Sequence, residues 1–207
     1  MVLSTAEVYI GVDLGQRVDH STIAVVERQE RTVAYLPPEF ECLWVRYLER
    51  LPLGTPYADV VERIREIVQQ PKLGSRKKLV VDATGVGGPV VELLRDARLE
   101  CPLTAVTLTG GGLAHGDGIR WNVPKKDVLT SVLLLLEQGK LKIAGNLRET
   151  PRLFQELTQV DLRFRPGGRI QMAADGAGEH DDLVMAVALA CWVGRKARPG
   201  WTRACGY

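Results

Sequence analysis

Aromatic residues and cysteines are scarce in this sequence of 207 residues. Aromatic residues make up 6% of the chain, too few for an extended platform that stacks the bases of a single-stranded nucleic acid. The four cysteines, at positions 42, 101, 191 and 205, lack the close spacing of a zinc knuckle and the density of a disulfide scaffold. We therefore expect reduced thiols, with Cys191 in the core.

Long apolar runs and targeting segments are also missing. The longest apolar stretches, such as Val132–Leu136, are far too short to span a bilayer. The first residues, Met1–Glu7, lack a basic region followed by an apolar one, so we expect neither a signal peptide nor a membrane partner. The absence of a Gly-x-x-x-x-Gly-Lys-Ser/Thr motif excludes a recognisable ATP-hydrolysing motor.

The charge balance is close to neutral, with a formal net charge of +2 at pH 7. This value does not identify a polyanionic partner, because nucleic-acid binding depends on where the charges cluster. A chain with 45% hydrophobic and 25% charged residues can bury a sizeable core. The length and composition predict one domain over residues 1–194, followed by a basic, disordered tail over residues 195–207.

Acidic residues stand where three apolar segments end or begin. Asp13 ends one apolar run and Asp82 ends another, whereas Asp181 and Asp182 open an apolar helical pattern. An acid at the carboxyl end of a buried strand is poorly placed for stability but well placed to bind a hard cation through oxygen. If the three blocks converge, they form a metal-dependent site that cleaves phosphodiesters.

Both strand-end acids also have a purely structural interpretation. Asp13 could accept hydrogen bonds from turn amides beside Gly15, and Asp82 could cap the turn at Thr84–Gly85. The glycines after Asp82 lack the third glycine and the later acid of a dinucleotide-binding fingerprint, so cofactor binding is disfavoured.

The helix-start acids have the strongest structural alternative. An acid at a helix N-terminus stabilises the helix by about 0.3–1 kcal/mol through capping and the helix dipole. Because one acid would be enough, the pair Asp181 and Asp182 predicts that one caps the helix and the other binds a metal. His180 could be a ligand, a general acid or base, or an exposed loop residue.

Two groups of basic residues are candidates for DNA binding. Lys125 and Lys126 begin a predicted helix, where cations oppose the helix dipole, so a phosphate partner would explain their position. Arg163 and Arg165 alternate along a predicted hairpin and would share one face that could contact a DNA backbone. Solvated lysines and an ordinary solvated strand face are the alternatives.

The order of elements predicts an α/β fold, a mixed central sheet with helices on both faces. Strands over about residues 8–14, 21–28 and 32–36 would form an antiparallel meander, which residues 42–48 could extend. Residues 109–121 are expected to be a mobile, glycine-rich loop. The other predicted elements are helices starting near residues 55, 87, 124 and 150, strands near 78–82, 103–108 and 141–143, a hairpin over 161–172 and a last helix over 181–194.

Taken together, the acidic blocks resemble the nuclease domain of tailed-bacteriophage terminase large subunits, in the RNase H/integrase-like superfamily. The resemblance rests on the segments Gly11–Gly15, Val81–Gly87 and Gly178–Ala186. Residues 123–127 and 141–143 also fit the pattern, and the match spans roughly residues 8–194.

The resemblance implies an RNase H-like sheet, a site for two Mg²⁺ or Mn²⁺ ions, and endonucleolytic cleavage of double-stranded DNA with little sequence specificity. The first acid of the family maps to Asp13, the second to Asp82, and the third to Asp182 or Asp181. As partners the resemblance implies an ATPase domain, a small terminase subunit and a portal, and as location the cytoplasm of a bacterial host.

Three other functions are compatible with the same residues. A RuvC-like Holliday-junction resolvase would use similar acids and act as a dimer. A sugar-kinase or actin-like ATPase also begins with a strand-end Asp-x-Gly, but that fold usually needs two lobes, for which 207 residues are too few. The third alternative is a non-catalytic module that docks on DNA.

Overall fold

The structure is a computed structural model, which describes residues 7–15, 19–31, 39–85, 87–160, 162–165, 169–172 and 181–196. The strands within these ranges are β1 (Glu7–Asp13), β2 (Thr22–Arg31), β3 (Glu39–Arg50), β4 (Lys77–Asp82), β5 (Leu103–Thr109), β6 (His115–Asp117), β7 (Arg120–Pro124), β8 (Leu141–Ile143), β9 (Leu162–Arg165) and β10 (Arg169–Met172). The helices are α1 (Tyr57–Val68), α2 (Gly87–Asp96), α3 (Lys125–Glu137), α4 (Thr150–Gln159) and α5 (Asp182–Lys196).

The central sheet has the strand order β6-β7-β5-β4-β1-β2-β3-β8. Strands β1, β2 and β3 form an antiparallel meander, whereas β4 pairs parallel with β1 and β5 pairs parallel with β4. The predicted mixed sheet is therefore confirmed. The predicted strand over residues 32–36 lies outside the described residues, and the third strand of the meander is β3.

The prediction of a loop over residues 109–121 is wrong in its second half. This segment contains β6 and the start of β7, which pair antiparallel as a short hairpin. The turn residue Gly118 has a positive φ of 55°, a conformation that glycine adopts without strain. A Cβ atom on Gly116 would lie 2.7 Å from the Trp121 ring, so this glycine reflects close packing rather than mobility.

Helices cover both faces of the sheet. Successive side chains of β1 point to opposite faces, so they are buried in two different cores. Tyr9 packs in the core formed with α3, α4 and α5, and Ile10 packs in the core formed with α1 and α2. Helix α5 is buried from Asp182 through Gly194, and this burial explains why its sequence is apolar nearly throughout.

Most of the later predicted elements are confirmed. Strand β8 pairs with β3 at the sheet edge, and β9 pairs with β10 as the predicted hairpin. Helix α5 ends at Lys196, two residues beyond the predicted end of the domain, and residues 197–207 lie outside the described ranges. None of the helices in the described part of the chain is long and apolar enough to cross a membrane.

Candidate active site

Two of the predicted acids lie side by side at one edge of the sheet. In the parallel register of β1 and β4, Val12 pairs with Val81, so Asp13 and Asp82 follow one residue beyond the last pair. Both strands end there, and the carboxyl ends of parallel strands open at the same edge of a sheet. Asp82 is 7% exposed, and acids are rarely buried to this extent unless they have a charged or hydrogen-bonding partner.

The third acidic block reaches this edge through close contact between α5 and β1. A Cβ atom on Gly11 would lie 1.9 Å from the carbonyl oxygen of Ala186, so the helix backbone rests directly on the strand. The Thr22 hydroxyl donates a hydrogen bond of 2.8 Å to the carbonyl of Asp182, and Thr22 is the cross-strand partner of Asp13. The first residue of α5 is therefore anchored beside Asp13.

Helix α5 is capped by a residue that the sequence did not indicate. The amides of Leu183 and Val184 donate to Glu156 Oε2 at 2.9 and 3.2 Å, and Glu156 is 1% exposed. Burial raises the pKa of Glu156, while the hydrogen bonds from Val184, Arg152 and Leu183 lower it. The expectation that an aspartate of the helix-start pair caps α5 is corrected, because Glu156 of α4 accepts from these amides.

Each aspartate of the pair faces a different cation. Lys125 Nζ donates to Asp181 Oδ2 at 2.8 Å, with both side chains more than a third exposed. Arg50 Nη2 lies 4.0 Å from Asp182 Oδ2, and Asp182 is 5% exposed. Sequence reasoning missed Arg50, since only the pairing of Thr22 with Arg50 shows that the end of β3 lies at the acidic edge.

The acids act on one another electrostatically. Burial raises the pKa of Asp13 well above its ordinary value, and the charges of Asp82, Asp182 and Asp181 raise it further, whereas Lys125 lowers it. Burial also raises the pKa of Asp82, while hydrogen bonds from Thr84 and the charge of Lys125 lower it. Three segments that are distant in sequence thus concentrate negative charge at one edge of the sheet.

The structural alternative predicted for Asp82 is also realised. The amide of Thr84 donates a hydrogen bond of 2.7 Å to Asp82 Oδ1, so this carboxylate does cap the turn after β4. The Thr84 hydroxyl in turn accepts from the amide of Leu108 at 2.7 Å, which ties the turn to β5. One oxygen of Asp82 therefore fixes the loop, and a carboxylate has further acceptor capacity on its other oxygen.

The chemistry of these donors suits a hard divalent cation. Carboxylate oxygens are the ligands that Mg²⁺ prefers, and a cation would relieve the repulsion that raises the pKa of Asp13. Among the described residues, no three Asp, Glu, His or Cys side chains are grouped so that they could hold a metal ion directly. A bound ion would therefore require the carboxylates to turn toward it, and Asp181 could bind the ion only by leaving Lys125.

The structure gives less detail about the remaining predicted site residues, His180, Lys126, Arg163 and Arg165. His180 lies outside the described residues. Lys126 follows Lys125 in the first turn of α3. Arg163 and Arg165 lie two positions apart in β9. Strand β9 pairs with β10, and β10 lies near α3. The side chains of the two arginines are outside the described part of the structure. Their contact with DNA stays a prediction.

No family model matches this sequence, and no curated protein matches it at a significant level. The similarity to known proteins is therefore one of three-dimensional structure.

Solved terminase nucleases share the architecture over most of their length. The large terminase nuclease from thermophilic phage G20c, solved with bound magnesium, has a TM-score of 0.58 and 21% identity, covering 91% of this chain and 82% of that one. The human cytomegalovirus terminase nuclease domain, soaked with Mn, has a TM-score of 0.54 and 12% identity, covering 89% of this chain and 82% of that one. The predicted RNase H-like fold is confirmed, and it is the fold of terminase large-subunit nuclease domains.

Proposed function

We propose that this chain is a divalent-metal-dependent endonuclease that cleaves double-stranded DNA with little sequence specificity. The observation that carries the proposal is the placement of Asp13, Asp82, Asp181 and Asp182 at one edge of the sheet, where burial and the charges of the other three raise the pKa of Asp13. Acids whose pKa is raised by burial and by neighbouring like charges are typical of functional sites. The fold shared with nucleases that were solved with magnesium or manganese supports the same conclusion.

Asp13, Asp82 and Asp182 are the proposed ligands of Mg²⁺ or Mn²⁺, and Asp181 and His180 are proposed as further catalytic residues. Asp182 is favoured over Asp181 because it is 5% exposed and because its charge raises the pKa of Asp13 more than the charge of Asp181 does. Ions held in such a site lower the pKa of a bound water and stabilise the charge that develops on the departing oxygen of a phosphodiester.

Basic residues around the cluster are proposed to hold the DNA. Lys125, Lys126, Arg163 and Arg165 would contact backbone phosphates, which position a duplex but carry no sequence information. This mode of binding explains the expected lack of sequence specificity. The terminase ATPase domain, small subunit and portal are the proposed protein partners, and the cytoplasm of a bacterial host is the proposed location.

Digestion of supercoiled plasmid DNA tests the proposal. We expect the wild-type protein to convert the plasmid to nicked and linear forms with Mg²⁺ or Mn²⁺ and to leave it intact in EDTA. Asp13→Asn should abolish cleavage, because an amide keeps the shape of the carboxylate but loses the charge that binds the cation. Asp96→Asn, the same substitution at an exposed acid of α2, is the matched control and should cleave like the wild type.

Other outcomes separate the alternatives. Cleavage of four-way junctions in preference to linear duplexes would indicate a resolvase instead. DNA binding without Mn²⁺ binding or turnover would indicate a docking module. Cleavage by Asp13→Asn at the wild-type rate would remove Asp13 from the list of ligands.

A further inference from the structure

Lys125 occupies an electrostatically unfavourable position for a lysine. It is the first residue of α3, where the helix carries partial positive charge, and the preceding residue, Pro124, provides no side-chain cap. The structure shows what compensates this position. The ammonium group donates to Asp181 Oδ2 at 2.8 Å, so a residue 56 positions away in sequence supplies the counter-charge.

The influence of Lys125 extends beyond its direct partner. Its charge lowers the pKa of both Asp13 and Asp82, so it opposes the effect of the neighbouring carboxylates at each of them. The residue therefore interacts with acids from all three blocks: through an ion pair with Asp181 and through its field at Asp13 and Asp82. A divalent cation bound by these carboxylates would exert the same kind of effect at the same place.

We propose that Lys125 is the resident counter-ion of the acidic cluster and that it competes with divalent cations for the cluster. The inference rests on the metal site of the proposed function. In the metal-free protein the ammonium group holds Asp181 and reduces the repulsion among the carboxylates. A bound ion would take over this role, and the ammonium group would then be available to the DNA phosphates that Lys125 is proposed to contact.

This role makes a prediction that an ordinary structural lysine does not make. Removing the charge should weaken the metal-free fold, because the carboxylates lose their counter-ion. The same change should strengthen cation binding, because a positive charge close to the site is lost. A lysine that only supports the local structure would weaken both properties when it is replaced.

The test measures Mn²⁺ binding by isothermal titration calorimetry at neutral pH and the melting temperature in EDTA. For Lys125→Gln we expect a dissociation constant about tenfold lower than that of the wild type, since a unit charge a few ångströms from a dication has about this effect even at the dielectric constant of water. The melting temperature in EDTA should fall. Lys125→Arg keeps the charge and should restore both values. Lys142→Gln, at an exposed lysine of the edge strand β8, should leave the Mn²⁺ dissociation constant unchanged.

The outcomes distinguish this inference from the proposed function. An unchanged or weaker Mn²⁺ affinity of Lys125→Gln overturns the role of Lys125 while leaving the metal site intact. If neither protein binds Mn²⁺, both proposals are wrong. If the wild type binds Mn²⁺ and Lys125→Gln binds it more tightly, but neither cleaves DNA, the counter-ion role stands and the nuclease activity is refuted.

Discussion

At the scale of single residues, function and stability make opposite demands on Asp13. The side chain ends a strand of the central sheet and lies among three other carboxylates, whose charges add to burial in raising its pKa. An isolated protein gains nothing from this arrangement, and a cation would reverse its effect. We therefore expect the metal-free protein to become more stable when the charge at Asp13 is removed.

The pH dependence of stability tests this expectation in EDTA. Between the ordinary aspartate pKa of about 3.9 and the raised pKa of Asp13, the folded protein binds more protons than the unfolded chain, so stability falls as the pH rises through this interval. At neutral pH, Asp13→Asn should melt at a higher temperature than the wild type, because the amide removes the charge that is unfavourable in the folded, metal-free protein.

The difference between the two proteins should shrink as the pH is lowered toward the ordinary aspartate value. Asp96→Asn, at an exposed position of α2, serves as the control and should follow the wild-type profile. Parallel melting profiles of Asp13→Asn and the wild type, with equal melting temperatures at neutral pH, would contradict the raised pKa of Asp13.

At the scale of secondary structure, α5 determines whether the acids meet. Glu156 accepts hydrogen bonds from the first amides of the helix, and Arg28 donates to the carbonyl of Gly194 near its other end. Between these ends the helix rests on β1 at Gly11, where a side chain does not fit. The helix is therefore fixed along its length, and Asp182 is held at the carboxyl end of β1.

Substitution of Gly11 tests this packing. We expect Gly11→Ala to destabilise the fold by about 1–3 kcal/mol or more, because the added methyl group would force α5 away from β1. Urea denaturation measures the loss. Gly88→Ala in α2 is the matched control, since a Cβ atom there meets nothing within 4 Å, and it should not destabilise the protein. Equal stability of the two variants would show that α5 can shift at no cost.

At the scale of the whole molecule, cation binding couples the acidic edge to the stability of the fold. The proposed ligands come from β1, β4 and the start of α5, which are brought together only in the folded chain. An ion that binds the folded state alone stabilises it by about 2.7 kcal/mol at one hundred times its dissociation constant.

We therefore expect saturating Mn²⁺ to raise the melting temperature by about 5–10 °C relative to EDTA. Differential scanning fluorimetry measures the shift, and NaCl at matched ionic strength controls for screening. Asp82→Asn should reduce the shift, because a proposed ligand is lost. A wild-type melting temperature that is insensitive to Mn²⁺ would argue against a cation site that spans these elements.

Much of the fold follows from local patterns in the sequence. Apolar runs of strand length predicted β1 and β4, and the proline at position 124 predicted the start of α3. The prediction of a loop over residues 109–121 is wrong in its second half because glycines occur both in mobile loops and in tight hairpins. Only the pairing of β6 with β7 and the packing of Gly116 against Trp121 distinguish the two cases.

The candidate acids can be identified from local sequence patterns, because a carboxylate at the end of a buried strand or at the start of an apolar helix is visible there. The surroundings of these acids become known only when the chain is folded: the cap from Glu156, the approach of Arg50 to Asp182, and the ion pair of Lys125 with Asp181. Periodicity indicates which face of an element is buried, whereas the neighbour across that face depends on how the elements pack.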